Sequence, residues 1–268
     1  MIYQYTNLNA LALILKNRTI RFNRLDRVDD IEEGEIAPSG INFCKYVFVS
    51  CWTENAEENI PLWKMYGGDS GGIRIGLDKD MFKKYIISRI DLGETKGYGA
   101  FPSLIPPKDW VNPNYSFYPL DNASFYRQIQ YVDDVAEVTK DAVKFFNVTD
   151  KGGEFLLSLN AFGTYKHKRW AFQDESRFVL YAFPFNLIKD GQKADFPTKL
   201  VQSLVEGRPL PFYHYDLSLN DEAFSNMEIR LSPSITDSQR IIIQSLVDKY
   251  APNARIVDSS LGKLVRLK

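Results

Sequence analysis

The chain has 268 residues, and 33 lysines and arginines stand against 34 aspartates and glutamates, so a net charge of -1 offers no global basic field for nucleic acid or an anionic membrane. A content of 44% hydrophobic and 25% charged residues belongs to a chain with a packed core and excludes a disordered one. The histidines are His167 and His214 and the cysteines Cys44 and Cys51, too few for a three-histidine or thiolate zinc site or a disulfide framework, so no metal is expected unless carboxylates bind it.

A short strand at Tyr3–Tyr5 leads into a helix carried by Leu8, Leu11, Ala12 and Leu15, with Thr6 and Asn7 as N-cap candidates and an end near Asn17. A second strand follows at Thr19–Phe22. The acidic stretch from Asp26 to Gly40 has neither period and reads as a loop, whereas Tyr46–Trp52 is rich in β-branched and aromatic residues and reads as a buried strand. Asn59 and Pro61 open a helix through Leu62, Trp63 and Tyr66, which the glycine-rich run 67–72 ends. Ile73, Ile75 and Leu77 alternate with Arg74, Gly76 and Asp78 as in a half-buried strand.

The region 93–126 gathers Gly, Pro, Asn and aromatics without a period and is expected as an irregular, loop-rich insertion. Helical spacing predicts helices over 134–147, on Val135, Val138, Ala142 and Phe145, and over 154–168, on Phe155, Leu159 and Phe162. Glu175–Phe183 is the clearest strand of the second half. Met227–Leu231 is another, followed by a helix with a Thr236-x-x-Gln239 capping box and apolar Ile242, Leu246 and Tyr250, then strands at Ala254–Val257 and Lys263–Leu267. This order lacks regular βαβ alternation and predicts an α+β fold of mixed, largely antiparallel sheets with flanking helices, in a single domain over 1–268. No apolar stretch reaches the roughly 18 residues of a spanning helix, and the first residues lack a signal-peptide pattern, so a cytoplasmic protein without membrane contact is expected.

Among the motifs, the glycine-rich run precedes a strand instead of following one, the wrong order for a phosphate loop, and reads as a turn. The acidic string Asp26, Asp29, Asp30, Glu32, Glu33 and Glu35 offers oxygens to a hard cation, but lacks EF-hand spacing and more simply offsets Arg21, Arg24 and Arg27 on a solvated loop. Ser50 or Cys51 activated by His167 or His214 would make a nucleophile, though both follow an apolar run and read better as core. The segment 166–177 brings the basic cluster Lys166-His167-Lys168-Arg169, then Trp170, then Glu175 at the start of an apolar strand. Glu175 and Arg177 share one face of that strand, so an ion pair is the simplest reading. A carboxylate fixed at a strand end can also bind a sugar hydroxyl or stabilise an oxocarbenium-like transition state, with neither metal nor histidine.

Several of these segments, in this order, resemble the bacterial and phage family named domain of unknown function 2971, over nearly the whole chain. They are Tyr3-x-Tyr5 with its helix, Asp29-Asp30-Ile31-Glu32-Glu33-Gly34, Ser50-Cys51-Trp52, Glu58 ahead of Leu62-Trp63-Lys64-Met65-Tyr66, Gly72-Ile73-Arg74-Ile75, and Lys166-x-x-x-Trp170-x-x-Gln173-x-Glu175-x-Arg177. The family has Asn-Asp-Pro at Asp29-Asp30-Ile31 and Glu at Gln173. Its layout is similar to that of ADP-ribosyltransferase-like toxins, in which a glutamate binds the nicotinamide-ribose hydroxyl of NAD.

The resemblance implies an NAD-consuming enzyme, a toxin or phage-defence effector, with Glu175 as the catalytic carboxylate and a protein or nucleic acid as acceptor. It further implies Trp63, Tyr66 and Trp170 as ring-stacking partners, Arg21, Arg74 and Arg177 as phosphate contacts, and Tyr3, Tyr5 and Ser50 on the dinucleotide site; Tyr3, Gln4 and Tyr5 stand where many transferases carry His or Arg. Two other expectations remain open. One is a non-catalytic module gripping a nucleotide or partner with the Trp63/Tyr66/Gly72 box; the other is a metal-dependent nuclease using the acidic loop, with Asp30, and the 166–169 basic cluster.

Overall fold

A computed structural model of the chain describes residues 1–34, 41–68, 71–91, 96–110, 112–118, 125–149, 152–191, 193–262 and 264–265. The first part runs β1 (Ile2–Asn7), α1 (Leu8–Asn17), β2 (Thr19–Arg24), β3 (Val47–Thr53), α2 (Ile60–Gly67) and β4 (Gly72–Leu77). A middle part follows with β5 (Tyr85–Asp91), β6 (Lys96–Ser103), α3 (Pro107–Trp110), β7 (Ser116–Tyr118), β8 (Tyr126–Gln128), β9 (Gln130–Val132), α4 (Val135–Thr139), β10 (Val143–Thr149), β11 (Gly152–Leu157) and β12 (Tyr165–His167). The last part is β13 (Glu175–Phe183), α5 (Leu187–Asp190), α6 (Phe196–Val205), β14 (His214–Ser218), α7 (Asp221–Ser225), β15 (Glu228–Leu231), α8 (Asp237–Tyr250) and β16 (Arg255–Val257). This is the α+β class with mixed, largely antiparallel sheets; no helix among the described residues is long and apolar enough to cross a membrane.

Local rules account for the element starts. The Asn7 side chain accepts from the Ala10 amide at 3.0 Å and caps α1, and Asn59 caps α2 by accepting from Leu62 at 3.1 Å, with Pro61 in the first turn. Thr236 and Gln239 close both bonds of the capping box at the head of α8, at 3.3 and 3.0 Å. The glycine-rich run is a packing joint: a Cβ on Gly72 would come within 3.0 Å of the Gly67 Cα and 3.2 Å of the Trp63 ring.

β13 and β3 form the middle of the main sheet, paired from Glu175↔Thr53 to Tyr181↔Val47. Two strands share the opposite edge of β3: β2 pairs at Asn23↔Val49 and Arg24↔Phe48, β1 at Tyr3↔Thr53. The two therefore diverge beside residues 50–52. β14 extends the sheet beyond β2; β4, β15 and β16 extend it beyond β1; β7 and β8 pair with the far edge of β13. β2 turns Ile20, Phe22 and Arg24 inward and Thr19, Arg21 and Asn23 outward, the period-2 alternation of a strand with one wet face. In the core Phe178 packs on Phe125 at 4.9 Å and edge-on against Phe82 at 5.0 Å.

The structure corrects several expectations. Only Val135–Thr139 of the stretch 134–147 is helical, and the helix expected over 154–168 is absent; β10 and β11 pair as an antiparallel hairpin instead. Val138 and Leu159 fit a helical spacing, but the β-branched and aromatic residues from Val143 onward have a strand partner, and pairing outweighs the local period. The stretch 93–126 contains β6, α3 and β7, and buried Asp109 ties it to the main sheet by accepting from Tyr115 at 2.7 Å and from Tyr215 of β14 at 2.5 Å. β4 is buried along its whole length, not half-buried: Ile73, Ile75 and Leu77 lie in the core, and Arg74 and Gly76 on the other face are covered by the Tyr3 ring. The stretch from Asp26 folds into short 3₁₀ turns at Leu25–Arg27 and Ile31–Gly34 with Asp30 and Glu33 buried, while 35–40 lie outside the described residues, as does most of the strand expected at Lys263–Leu267.

α8 buries Ile243 and Val247 and packs on α1, so its head matters to the fold. Thr236→Ala is expected to lower the unfolding free energy by about 1 kcal/mol in a urea titration, with no change in slope.

Candidate functional site

Where β1 and β2 part, the edge of β3 faces a cleft of about 350 Å³, within the size of small-molecule sites. Gln4 of β1 reaches into the gap and donates from Nε2 to the Cys51 carbonyl at 3.0 Å, standing in for a missing strand partner. One wall is β1 with Leu62 and Tyr66 of α2; the other is the wet face of β2 with Arg27, Val28 and Asp29; α1 contributes Ala10, Leu13, Ile14 and Asn17. Register supplies the floor. The pairs Thr53↔Glu175 and Cys51↔Arg177 set four side chains on one face of the sheet, and all four line the cleft together with Lys166 and Gln173.

Below the floor lies a buried network of charges. Arg177 is fully buried; its Nε donates to Glu175 Oε1, its Nη1 to Glu33 Oε2, and its Nη2 to Glu33 Oε1 at 2.9 Å. Lys166, delivered by β12, donates to Glu175 Oε2 at 3.0 Å and to Gln173 Oε1 at 2.6 Å, and approaches Glu33 at 3.4 Å. Gln173 Nε2 passes the chain of bonds on to the Tyr66 hydroxyl at 3.0 Å. Two cations thus face two carboxylates, the bidentate Arg177–Glu33 fork being the strongest geometry available to such a pair. The Glu175 amide donates to the Tyr131 hydroxyl at 2.8 Å, which fixes the first residue of β13.

The electrostatics follow from this arrangement. Burial alone would raise the Glu175 carboxyl, but the charges of Arg177 and Lys166 outweigh it and hold the group below the ordinary carboxylate range. Arg177 is held well above its ordinary value: Glu175 and Glu33 overcome the opposing effect of burial. Burial, with Cys51, Asp29 and Glu175 nearby, pushes the Tyr66 phenol up, and burial beside Glu175 pushes the Cys51 thiol up. Both therefore stay protonated at neutral pH, which removes Cys51 as a thiolate nucleophile. Ser50 is buried and accepts from the Trp52 indole at 2.9 Å.

The cleft brings together Tyr3, Tyr5, Arg21, Ser50, Tyr66, Glu175 and Arg177 from the residues singled out in the sequence. Trp63, Arg74 and Trp170 lie outside its lining. Trp63 is buried edge-on against Tyr5 at 4.9 Å and donates to Glu58 at 3.0 Å; Glu58 also accepts from Ser259 at 2.5 Å and from Ser260, clamping the C-terminal segment. Arg74 is buried under the Tyr3 ring at 4.2 Å and donates to the Ala56 carbonyl at 2.9 Å. Trp170 sits beside the Lys166 ammonium at 4.7 Å, behind the floor. The sequence reading missed Lys166 as a partner of Glu175, Glu33 as the partner of Arg177, and Gln4 and Asn23 as lining. The one signal for the first two is Glu175-x-Arg177 inside an otherwise apolar strand, because charges buried there require counter-charges from elsewhere.

Glu175→Gln leaves two buried cations short of a partner and is expected to cost about 3–5 kcal/mol of stability at neutral pH. Because the folded carboxyl is held below its ordinary value, its stabilisation is present above about pH 4.3 and is lost as pH falls through the depressed folded value. The gap between wild type and Glu175→Gln in urea unfolding should therefore shrink below about pH 4.3; a gap that does not move with pH would contradict the network.

Comparison with family models, curated proteins and solved structures finds no match to the chain.

Proposed function

We propose that the chain is an NAD-consuming enzyme of the ADP-ribosyltransferase-like kind, in line with its resemblance to the domain of unknown function 2971 family. The observation that carries this reading is Glu175: a carboxylate kept ionised at the floor of a nucleotide-sized cleft, with the rings of Tyr3, Tyr5 and Tyr66 in the walls. In the reaction the bond between the nicotinamide nitrogen and ribose C1 breaks, and its electron pair leaves with nicotinamide. The positive charge left on the sugar is stabilised by the Glu175 carboxylate through a ribose hydroxyl, and water or an acceptor group attacks C1 and gives up its proton. Arg177 and Lys166 act through Glu175 by keeping it ionised and oriented. The tyrosines supply flat apolar faces for the ring.

A second reading, a ligand-binding module without turnover, is favoured by one specific feature: both Glu175 oxygens are already engaged, Oε1 by Arg177 and Oε2 by Lys166. The nuclease reading has no such support. The acidic string disperses, Asp26 to Arg24, Glu32 to Arg169 and Glu33 to Arg177, and among the described residues no three His, Cys, Asp or Glu side chains converge as a metal set.

The test is release of nicotinamide from NAD by purified protein. Wild type is expected to release it, and Glu175→Gln to be slower by on the order of 100-fold or more while still showing an NAD-dependent rise in melting temperature. Equal rates in the two proteins would refute the assignment of Glu175. A rise in melting temperature without release in wild type would support the binding module.

A further inference from the structure

Glu58, in the turn between β3 and α2, is where three separate segments meet, and its side chain is 3% exposed. Oε2 accepts from the Trp63 indole at 3.0 Å and from the Ser259 hydroxyl at 2.5 Å. Oε1 accepts from the Ser260 amide at 2.7 Å, from the Ser260 hydroxyl at 2.8 Å and from Arg230 Nη1 of β15 at 3.3 Å. Five donors on one carboxylate make a strong, charge-assisted hub. Burial alone would raise this carboxyl, but the donors of Ser259, Ser260 and Trp63 outweigh it and hold it below its ordinary value.

The segment after β16 hangs on that hub. Strand pairing stops at Val257, opposite Arg230. Beyond it, among the described residues, no backbone-to-backbone hydrogen bond leaves 258–265: Gly262 donates to Ser259 at 3.3 Å and Leu264 to Leu261 at 2.9 Å. Asp258 accepts from Arg230 through its carbonyl at 3.1 Å, and its carboxylate pairs with Arg240 of α8 on the exposed surface, where an ion pair adds little. The other hold is apolar. Half-buried Leu261 packs on a small cluster of Tyr5, Leu62 and Trp63, separate from the main core, and Tyr66 packs on the same cluster. Tyr5, Leu62 and Tyr66 line the cleft, so this cluster is the apolar backing of the α2 wall, and Leu261 completes it.

We infer that 258–261 is a releasable strap: latched by Glu58 and seated through Leu261, it holds the α2 wall of the cleft in place, and its release loosens that wall without unfolding the sheet. A segment with one polar hub, one apolar seat and no backbone ladder opens at the low end of local stability. The main sheet, held by full strand pairing, stays closed when it does. Neither latch nor seat depends on what the cleft binds, so the strap stands whether or not NAD is the ligand.

Hydrogen exchange of the full chain, read by mass spectrometry, tests this in Glu58→Gln and Leu261→Ala. In both variants the amides of α2 and of 258–265 are expected to exchange about tenfold faster or more, equivalent to about 1.4 kcal/mol of local protection, while β3 and β13 keep their wild-type rates. Leu261→Ala leaves the buried carboxylate and all its donors in place, so it carries the test alone where Glu58→Gln fails to fold. Faster exchange confined to 258–265, with α2 unchanged, would overturn the inference, because the strap would then support nothing. Equal acceleration of β3 and β13 would overturn it too, since the strap would then be part of the global fold and not releasable.

Discussion

The buried pairing of Arg177 with Glu33 and Glu175 is the constraint on which the rest of the site depends. It joins residues 144 apart in sequence, bringing the turn after β2 under the start of β13, and it fixes the carboxylate that faces the cleft. A buried ion pair is weak evidence for stability, since desolvation takes back much of the attraction. An apolar trio of similar volume would hold β13 as well. What it would not supply is an ionised carboxylate, with its partners already in place, at the bottom of a cleft.

The cleft itself is a product of sheet topology. β3 spends its second edge on two strands that touch it at opposite ends, and the uncovered stretch between them needs a substitute partner, which the Gln4 side chain provides for one carbonyl. Divergence of β1 and β2 also explains why α1, which links them, ends up as the outer wall. The result is a division of labour by layer: an apolar core behind the sheet and charges within its floor.

Much of the framework was legible in the sequence because it rests on local rules. Asn7, Asn59 and Thr236 announce their helices through short polar side chains before apolar periods, and Glu175–Phe183 announces its strand through the unbroken apolar run Phe178–Phe183. The segment 134–168 was misread because its apolar residues satisfy the helical spacing as well as the strand one, and the choice is made by a partner strand that no local window contains. At the site the sequence showed Glu175 with Arg177 and the tyrosines. Pairing of Glu33 with Arg177, of Lys166 with Glu175 and of Asp216 with Arg21 is tertiary information.

The protonation of Glu175 is the point on which the account turns, and it can be read without any ligand. Carboxyl carbon resonances followed through an acid titration, with the Glu175 signal assigned by its absence in Glu175→Gln, measure it directly. The account predicts that Glu175 stays ionised until below the ordinary carboxylate range of about 4.3, with its neighbours losing order as it protonates. A Glu175 that titrates within or above that range would contradict the network and, with it, the site built upon it.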